Sequence, residues 1–193
     1  MQLRTKVGFF SGTFNPVHTG HIEFVLAAIE QYNLSKVLIL PEELPREKLV
    51  KTTYEHRMNM LHIATEGFEN IELVRLKNKT FSVAKTLPEL RVLEPGADLV
   101  FLCGSDVVKT FLYRWEGLET LLGSVEVVVG LRNNESEADV RNIIGQLPFT
   151  ARIHVMKAPK HHLASTMVRQ GVHTIEDIHP AVADYIKTND LYS

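Results

Sequence analysis

Two histidines, His18 and His21, follow the first apolar run of the chain and could bind an anion such as phosphate. Gly12 permits a tight turn whose backbone N–H groups can point outward, and Thr13 adds a hydroxyl. Histidines three positions apart project from the same side of a helix start, where the helix dipole also favours negative charge. Gly20, which lies between the histidines, lacks a Cβ and leaves room for a ligand near the backbone. The pattern predicts a phosphate-binding loop.

The histidine pair has two alternative interpretations. In a metal site it would need further ligands, and no Cys, Asp or Glu completes the pair at ligand spacing nearby. A bare pair could also be two surface histidines near a loop. The preceding apolar run, the glycine and threonine before the pair and the helix start that follows favour anion binding. We therefore predict no metal held by protein side chains.

A second candidate anion site lies near the end of the chain, where Ser165 and Thr166 stand at a predicted helix start. Arg169 follows one turn later, so its planar guanidinium would lie next to exposed N–H groups and could bind phosphate oxygens. A helix-capping role alone would also explain Ser165.

The elements that must position these residues alternate between short apolar runs and amphipathic segments. This alternation is typical of parallel strands joined by crossover helices. The predicted fold class is α/β, a Rossmann-like, doubly wound, mostly parallel sheet with helices on both faces. The predicted strands are 6–10, 36–40, 71–76, 99–103, 125–130 and 153–156. The first predicted helix starts at Thr19 as N-cap and has Ile22, Val25, Leu26 and Ile29 on its buried face. The other predicted helices are 55–66, 81–94, 116–122, 137–147, 165–170 and 180–188.

Composition limits the classes of function. The chain has 193 residues and a formal net charge of −2, so it has no overall positive field to hold a nucleic acid polymer. Cys103 is the only cysteine and lies in an apolar run, which excludes a disulfide framework. No apolar stretch approaches the roughly 20 residues of a membrane span, and the start lacks a signal h-region. We expect a soluble, cytoplasmic protein with one domain over residues 1–193.

The stretch SGTFNPVHTGH, residues 11–21, resembles the GGTFDPxHxGH signature of the nucleotidyltransferase superfamily. Ser11 stands where glycine is commoner, and Asn15 stands where aspartate is commoner. The stretch LASTMVR near the end resembles the superfamily's ISSTxxR motif, with Leu163 and Ala164 replacing its first two residues. The resemblance implies that the first strand, loop and helix bind the triphosphate of ATP or CTP.

Within that superfamily, essentially the whole chain resembles the bacterial nicotinate mononucleotide adenylyltransferase family. Gly104-Ser105-Asp106 is similar to its G-x-D motif, and Trp115 and Arg132 have similar counterparts. The resemblance implies that Asp106 binds a ribose hydroxyl, Trp115 packs on the pyridine ring and Arg132 lies near the mononucleotide. The alternatives are a helix N-cap for Asp106, a rim or core aromatic for Trp115 and a solvated loop cation for Arg132.

Three departures from the family lie on the acceptor side. Glu42 and Glu43 replace neutral residues, Glu47 stands where histidine is often found, and Phe81-Ser82 stands where the family often has Tyr-Thr. Acid groups near an anionic substrate are unfavourable unless they point outward. The resemblance also places backbone N–H groups around 81–86 at the pyridine carboxylate, so Ser82 and Thr86 mark that end.

The expected reaction transfers AMP from ATP to the 5′-phosphate of a pyridine mononucleotide, with Mg²⁺ held mainly by the ATP phosphates. No protein nucleophile is required, because the acceptor oxygen is already ionised. We assign His18, His21 and Arg169 to catalysis, with His21 nearest the α-phosphate. The predicted ATP-binding residues are Ser11, Gly12, Thr13, Phe14, His18, Gly20, His21, Gly104, Asp106, Ser165, Thr166 and Arg169. The predicted acceptor-binding residues are Ser82, Thr86, Trp115 and Arg132.

Other functions remain open at this point. Nicotinamide mononucleotide, pantetheine phosphate or a sugar or polyol phosphate could replace the acceptor, and CTP could replace ATP. A nucleotide-binding sensor without catalysis is a further alternative, although the intact histidines and arginine favour an enzyme. An aminoacyl-tRNA synthetase is excluded, because the chain is short and lacks a basic surface for tRNA. We expect no membrane or nucleic acid partner, and a homo-oligomer is compatible with the sequence.

Overall fold

The computed structural model describes residues 4–45, 50, 52–132, 135–148, 150–158, 162–172, 174 and 176–192. Its six strands are all parallel and form one sheet in the order β3-β2-β1-β4-β5-β6. The strands are β1 (Lys6–Gly12), β2 (Lys36–Pro41), β3 (Ile71–Leu73), β4 (Asp98–Gly104), β5 (Glu126–Leu131) and β6 (Arg152–Lys157).

Helices cover both faces of this sheet. They are α1 (Thr19–Tyr32), α2 (Tyr54–Thr65), α3 (Val83–Leu93), α4 (Ser105–Thr110), α5 (Leu118–Ser124), α6 (Glu137–Gly145), α7 (Ser165–Arg169) and α8 (Pro180–Thr188), with a short 3-10 helix at Phe111–Tyr113. One apolar core lies under α1, α2 and α8, and the other lies under α3 to α6. The predicted Rossmann-like α/β fold is confirmed.

Burial on both faces explains why the central strands read as continuous apolar runs. In β4, every residue from Leu99 to Gly104 is buried. On this strand Phe101 pairs with Phe9 of β1, and their rings stack with centroids 5.1 Å apart. Cys103 is 2% exposed, and burial raises the pKa of its thiol. It is therefore a core residue, as its apolar surroundings predict.

The start of α1 differs by one residue from the prediction. His18 is the N-cap, with extended backbone, and Thr19 is the first helical residue. The hydroxyl of Thr19 instead donates to the carbonyl of Asp177 at 3.1 Å. The predicted buried face is confirmed at Ile22 and Val25, which are 8% and 0% exposed.

The sequence analysis also missed α4. This helix has only six residues and starts directly at the end of β4, and six residues are too few to show a helical period. Its N-cap, Gly104, has no side chain to signal a helix start.

Within the described part of the chain, no helix has both the length and the apolar character that crossing a membrane requires.

The order of the strands fixes where a ligand can bind. Chain connections from β1 and β4 run to opposite sides of the sheet, so a crevice opens beyond the carboxyl ends of these two neighbours. Gly12 ends β1 and Gly104 ends β4. The loops predicted to carry chemistry therefore meet at this crevice.

Candidate active site

A cleft of about 570 Å³ lies at the crevice between β1 and β4. A cavity of about 20 Å³ adjoins it and shares part of its wall. The predicted site residues that line the cleft are Ser11, Gly12, Thr13, Phe14, His21, Gly104, Asp106, Arg132, Ser165, Thr166 and Arg169. Those that line the smaller cavity are His18, Gly20, His21, Gly104 and Arg132. The structure thus gathers residues from both ends of the chain around one space.

The two histidines lie together at the start of α1. Their ring centroids are 3.6 Å apart, and His18 and His21 are 4% and 8% exposed. The main-chain N–H of His18 donates to Nδ1 of His21 at 3.2 Å, so a neutral His21 carries its ring proton on Nε2. This bond orients His21 toward the cleft that it lines.

His18 is buried and electrically neutral. Burial, supported by the nearby positive charge of Arg132 and opposed by Asp177, lowers the pKa of His18 to about 3. Neither ring nitrogen of His18 has a hydrogen-bond partner among the described residues. A buried polar group without a partner is costly, and a phosphate oxygen entering from the adjoining cavity would satisfy it.

Aromatic packing sets the shape of the loop that follows β1. The ring of Phe14 packs edge-on against Phe10 at 5.3 Å and against His21 at 5.1 Å. Phe14 adopts the left-handed conformation with φ of 49°, whereas the turn was predicted to depend on Gly12. A Cβ on Gly12 would lie 3.2 Å from the Phe14 ring, a tight contact that would require the ring to move by a few tenths of an ångström.

Helix α7 docks directly on this loop. The Ser165 hydroxyl donates to the carbonyl of Pro16 at 2.8 Å, and Nη1 of Arg169 donates to the carbonyl of Asn15 at 2.6 Å. Nη2 of Arg169 donates to the Thr166 hydroxyl at 3.0 Å. The N-cap of α7 is Ala164, so the interpretation of Ser165 as a helix cap is wrong. Ser165 and Arg169 instead join the two predicted motifs.

An ion pair crosses the end of β4. Nε of Arg132 lies 3.2 Å from Oδ1 of Asp106. A Cβ on Gly104 would overlap that carboxylate oxygen and that nitrogen, so any other residue at this position would force the pair to shift. Gly104 is the N-cap of α4, which contradicts the N-cap interpretation of Asp106. Arg132 is paired rather than a freely solvated loop cation.

Three of the predicted acceptor residues lie outside the lining of the cleft. The indole N–H of Trp115 donates to the Thr110 hydroxyl at 3.2 Å, and its ring lies 6.0 Å from Phe111. The main-chain N–H of Ser82 donates to the hydroxyl of the fully buried Thr86 at 3.1 Å. Arg132 is the predicted acceptor residue that does line the cleft.

The start of α3 nevertheless packs against the loop that contains Trp115, and the two form one neighbourhood. Gly117 has φ of +80°, and a Cβ there would lie 2.8 Å from Cβ of Val83. Phe81 stacks on Phe101 with centroids 5.8 Å apart and an interplanar angle of 9°. Phe101 lines the cleft, so this neighbourhood continues the cleft wall away from the histidines.

The two described glutamates after β2 have different surroundings. The carboxylate of Glu43 lies 2.7 Å from Nζ of Lys79 and 3.2 Å from Nη2 of Arg75, and these cations lower its pKa. The carboxylate of Glu42 accepts a hydrogen bond from the Ser11 hydroxyl at 3.1 Å. Glu43 thus has its charge compensated by surface cations, whereas Glu42 contacts the wall of the cleft. Glu47 lies outside the described residues.

Sequence reasoning missed Arg57, a charged residue that is 1% exposed. Its guanidinium donates to the carbonyl oxygens of Thr13 at 2.7 Å, Glu42 at 2.8 Å and Glu43 at 3.2 Å. Burial lowers its pKa from the ordinary arginine value. A signal was present in the sequence, because Arg57 lies four positions before the buried Leu61 on the apolar face of α2.

Comparisons with known proteins identify the family of the chain and similar folds. The cytidylyltransferase-like family matches residues 9–171. Proteins named probable nicotinate-nucleotide adenylyltransferase are similar along their length: one from Lactococcus lactis is 34% identical over 98% of this chain and 96% of its own, and one from Carboxydothermus hydrogenoformans is 32% identical over 97% and 98%.

Among solved structures, a Plasmodium falciparum nicotinic acid mononucleotide adenylyltransferase shares the fold. Its complex with NaAD matches with a TM-score of 0.79, and its complex with APC matches with 0.77. Both matches have 18% sequence identity and cover 98% of each chain. With the family match over residues 9–171 and the full-length relatives, the chain belongs to the cytidylyltransferase-like family.

Proposed function

We propose that this chain is a nicotinate-nucleotide adenylyltransferase that transfers AMP from ATP to the 5′-phosphate of nicotinate mononucleotide. The observation that carries the proposal is the His18–His21 pair, which lies in the same cleft system as Arg132 and Arg169 at the switch point of the sheet. The names of the full-length relatives support the same activity. We treat residues 1–193 as one nucleotidyltransferase domain and, because ATP is a substrate, expect it to act in the cytoplasm.

In this reaction, an oxygen of the acceptor phosphate forms a bond to the α-phosphorus of ATP. The bond from that phosphorus to the oxygen bridging to the β-phosphate breaks, and pyrophosphate leaves with the electron pair. The products are deamido-NAD and pyrophosphate. The acceptor oxygen is already ionised at neutral pH, so the protein has to align two anions and stabilise the charge that develops.

The described side chains fit that task. The Nε2–H of His21 would donate to the α-phosphate, and His18 would donate its one ring proton to a neighbouring phosphate oxygen. Thr166, Ser165 and Arg169 would hold the β- and γ-phosphates, because Arg169 combines positive charge with a planar set of donors. The Phe14 and Gly20 backbones would provide close approach for the triphosphate.

The end of β4 and the neighbouring loops would hold the two nucleosides. Gly104 and Asp106 are assigned to the ribose of ATP, and Arg132 is assigned to the mononucleotide phosphate. Trp115, Ser82 and Thr86 are assigned to the pyridine end. Their distance from the lining of the described cleft implies that the acceptor extends along the Phe101–Phe81 wall.

Mg²⁺ fits this site through the substrate. Among the described residues that line the cleft, the carboxylate is that of Asp106, and it is paired with Arg132. The remaining polar lining consists mainly of hydroxyl, imidazole and guanidinium donors, which suit phosphate, and the amide oxygen of Asn15 already accepts from the Tyr192 hydroxyl. Held through the ATP phosphates, Mg²⁺ would neutralise part of their negative charge.

The direct test is pyrophosphate release from ATP with a panel of acceptors: nicotinate mononucleotide, nicotinamide mononucleotide, phosphopantetheine and a polyol phosphate. Release with a pyridine mononucleotide, and its loss in His21→Ala, is the expected result. Release with another phosphomonoester, or with CTP in place of ATP, would transfer the protein to a different branch of the family. Tight ATP binding without release from any acceptor would identify a nucleotide sensor and overturn the proposal.

A further inference from the structure

Arg57 connects two loops that belong to different substrates. Thr13 follows β1 and lies in the loop assigned to ATP, whereas Glu42 and Glu43 follow β2 on the acceptor side. One guanidinium donates to main-chain carbonyls in both loops, at 2.7 Å, 2.8 Å and 3.2 Å. Since β1 and β2 are neighbouring strands, this side chain bridges the ends of both.

The contacts of Arg57 are with carbonyl oxygens, which specify the path of the backbone. Nη1 and Nη2 of this buried guanidinium are satisfied by the three carbonyls, whereas Nε has no partner among the described residues. Moving any of these carbonyls would leave a further buried donor unpaired, so their positions are restricted. A second link runs beside it, because the N–H of Glu42 donates to the carbonyl of Gly12 at 2.9 Å. The ring of Tyr54 lies 5.4 Å from the guanidinium carbon.

The direction of the Thr13 carbonyl matters for the phosphate loop. The C=O and N–H of a trans peptide point in opposite directions, so the N–H of Phe14 points away from Arg57. Phe14 lines the cleft, and Arg57 is not among the described residues that line it. The arginine therefore sets the orientation of a main-chain donor at the site without contacting the substrates.

We propose that Arg57 is a positioning residue that sets the separation and orientation of the ATP loop relative to the acceptor loop. This inference rests on the proposed function. A lysine would keep the charge, but its single ammonium cannot reproduce the planar fork that reaches carbonyls in both loops. The loops would then lose their fixed spacing, although each would still bind its own ligand.

The dinucleotide product provides the sharpest test, because one molecule occupies both halves of the site. A ligand that spans two subsites loses affinity when their spacing no longer fits, whereas a ligand of one subsite is much less affected. We expect Arg57→Lys to weaken deamido-NAD binding by about tenfold or more. The affinities for ATP alone and for nicotinate mononucleotide alone should each change by less than about threefold.

The measurement is titration calorimetry of the full chain with each of the three ligands, corrected for the fraction that binds. The matched control is Arg75→Lys, since Arg75 stacks on the same Tyr54 ring at 4.8 Å and contacts Glu43 through its carboxylate on the surface. Arg75→Lys should leave all three affinities unchanged. Thermal unfolding of each variant gives the folded fraction.

The outcomes separate this inference from the proposed function. Equal losses for all three ligands, or no loss for the dinucleotide, would overturn the role of Arg57 and leave the function intact. If the unmodified protein binds neither nicotinate mononucleotide nor deamido-NAD, the proposed function fails first. If Arg57→Lys does not fold, Arg57→Gln is measured in the same way, and failure of both to fold assigns Arg57 to folding and overturns the positioning role.

Discussion

The rings of His18 and His21 stack with centroids 3.6 Å apart and an interplanar angle of 30°. Two positive charges at this distance in a buried site would repel each other strongly, so the pair does not carry two protonated rings. The main-chain bond from His18 to Nδ1 of His21 also fixes which nitrogen of His21 can donate. The pair is therefore an arrangement of neutral donors at the start of α1, and charge compensation for phosphate comes from the arginines.

His21→Ala should lower kcat by about a hundredfold or more while ATP affinity changes little. The reason is that His21 is assigned to the α-phosphate, where charge develops during the reaction, and removal of one preorganised donor has this size of effect. Steady-state kinetics measures the change in kcat, and a separate binding measurement gives the affinity for ATP. The control is His62→Ala, an exposed histidine on α2. A near-normal kcat in His21→Ala would reject the role.

The low pKa of His18 predicts a pH dependence of stability. The folded protein holds this ring neutral down to about pH 3, whereas the unfolded chain takes up a proton near pH 6.5. The unfolded state therefore binds more protons below pH 6.5, and stability falls as the pH falls through that window. Lowering the pH from 7.5 to 5 should reduce the free energy of unfolding by about 2 kcal/mol through this group alone.

Urea unfolding at the two pH values measures this effect, with His18→Asn as the variant that cannot titrate. Over the same pH range, the free energy of unfolding of the variant should fall by about 2 kcal/mol less than that of the unmodified protein. An NMR titration of the ligand-free protein provides a second check. A His18 ring resonance that titrates near pH 6.5 would contradict the buried, neutral state.

Arg169→Lys should reduce kcat/KM for ATP by about tenfold or more, although the charge is conserved. In the structure, one amino group of Arg169 holds the carbonyl of Asn15 and the other holds the hydroxyl of Thr166. A single ammonium cannot hold the loop and grip a phosphate together. Arg141→Lys, an exposed arginine paired with Glu137 on α6, is the matched control. Full activity of Arg169→Lys would show that Arg169 holds the loop without binding phosphate.

The strands could be predicted from sequence because burial on both sheet faces leaves a direct pattern. The predicted strand at 71–76 extends past the observed Ile71–Leu73, because apolar residues continue after pairing with β2 ends. The six-residue α4 was missed, since six residues are too few to show a helical period and its N-cap is a glycine. Patterns of burial thus identify long elements well and short junctions poorly.

Site residues with chemical side chains could be predicted, whereas the contacts that orient them could not. The histidine pair and Arg169 were identified from spacing and residue type, and the cleft brings them together. Arg57 was missed because its place on the apolar face of α2 indicates burial only, while the main-chain carbonyls that it contacts leave no mark in residue types. The carbonyl contact from Arg169 to Asn15 spans 154 positions, and such a pairing depends on the folded chain.

The identity of the acceptor is expected to depend on the first turn of α3. Its N-cap, Ser82, makes no side-chain cap hydrogen bond, and the Ser82 N–H is already bonded to Thr86. The N–H groups of that turn would pair with a carboxylate better than with a carboxamide, whose NH₂ also donates. An unpaired buried donor costs about 1 to 3 kcal/mol, so kcat/KM should favour nicotinate mononucleotide over its amide by roughly tenfold or more.

Glu42 and Glu43 act against this preference only if their charge reaches the acceptor. The carboxylate of Glu43 is compensated by Lys79 and Arg75, whereas that of Glu42 contacts Ser11 on the cleft wall. Replacing both glutamates by asparagine should therefore increase the preference for the acid by about two- to fivefold, the range of one partly exposed charge pair. Glu42→Asn alone should produce most of that increase, and Glu43→Asn is the matched control.

The measurement is kcat/KM for both mononucleotides in the unmodified protein, the two single variants and the double variant. Repulsion from Glu42 acts on the extra negative charge of the nicotinate, so the acid should gain from Glu42→Asn while the amide changes little. If the preference for the acid increased only in Glu43→Asn, Glu43 rather than Glu42 would be the carboxylate that repels the acceptor. If kcat/KM in the unmodified protein were equal for the two mononucleotides or higher for the amide, the assignment of nicotinate mononucleotide would be overturned. The N–H donors of α3 would then not distinguish the carboxylate from the carboxamide.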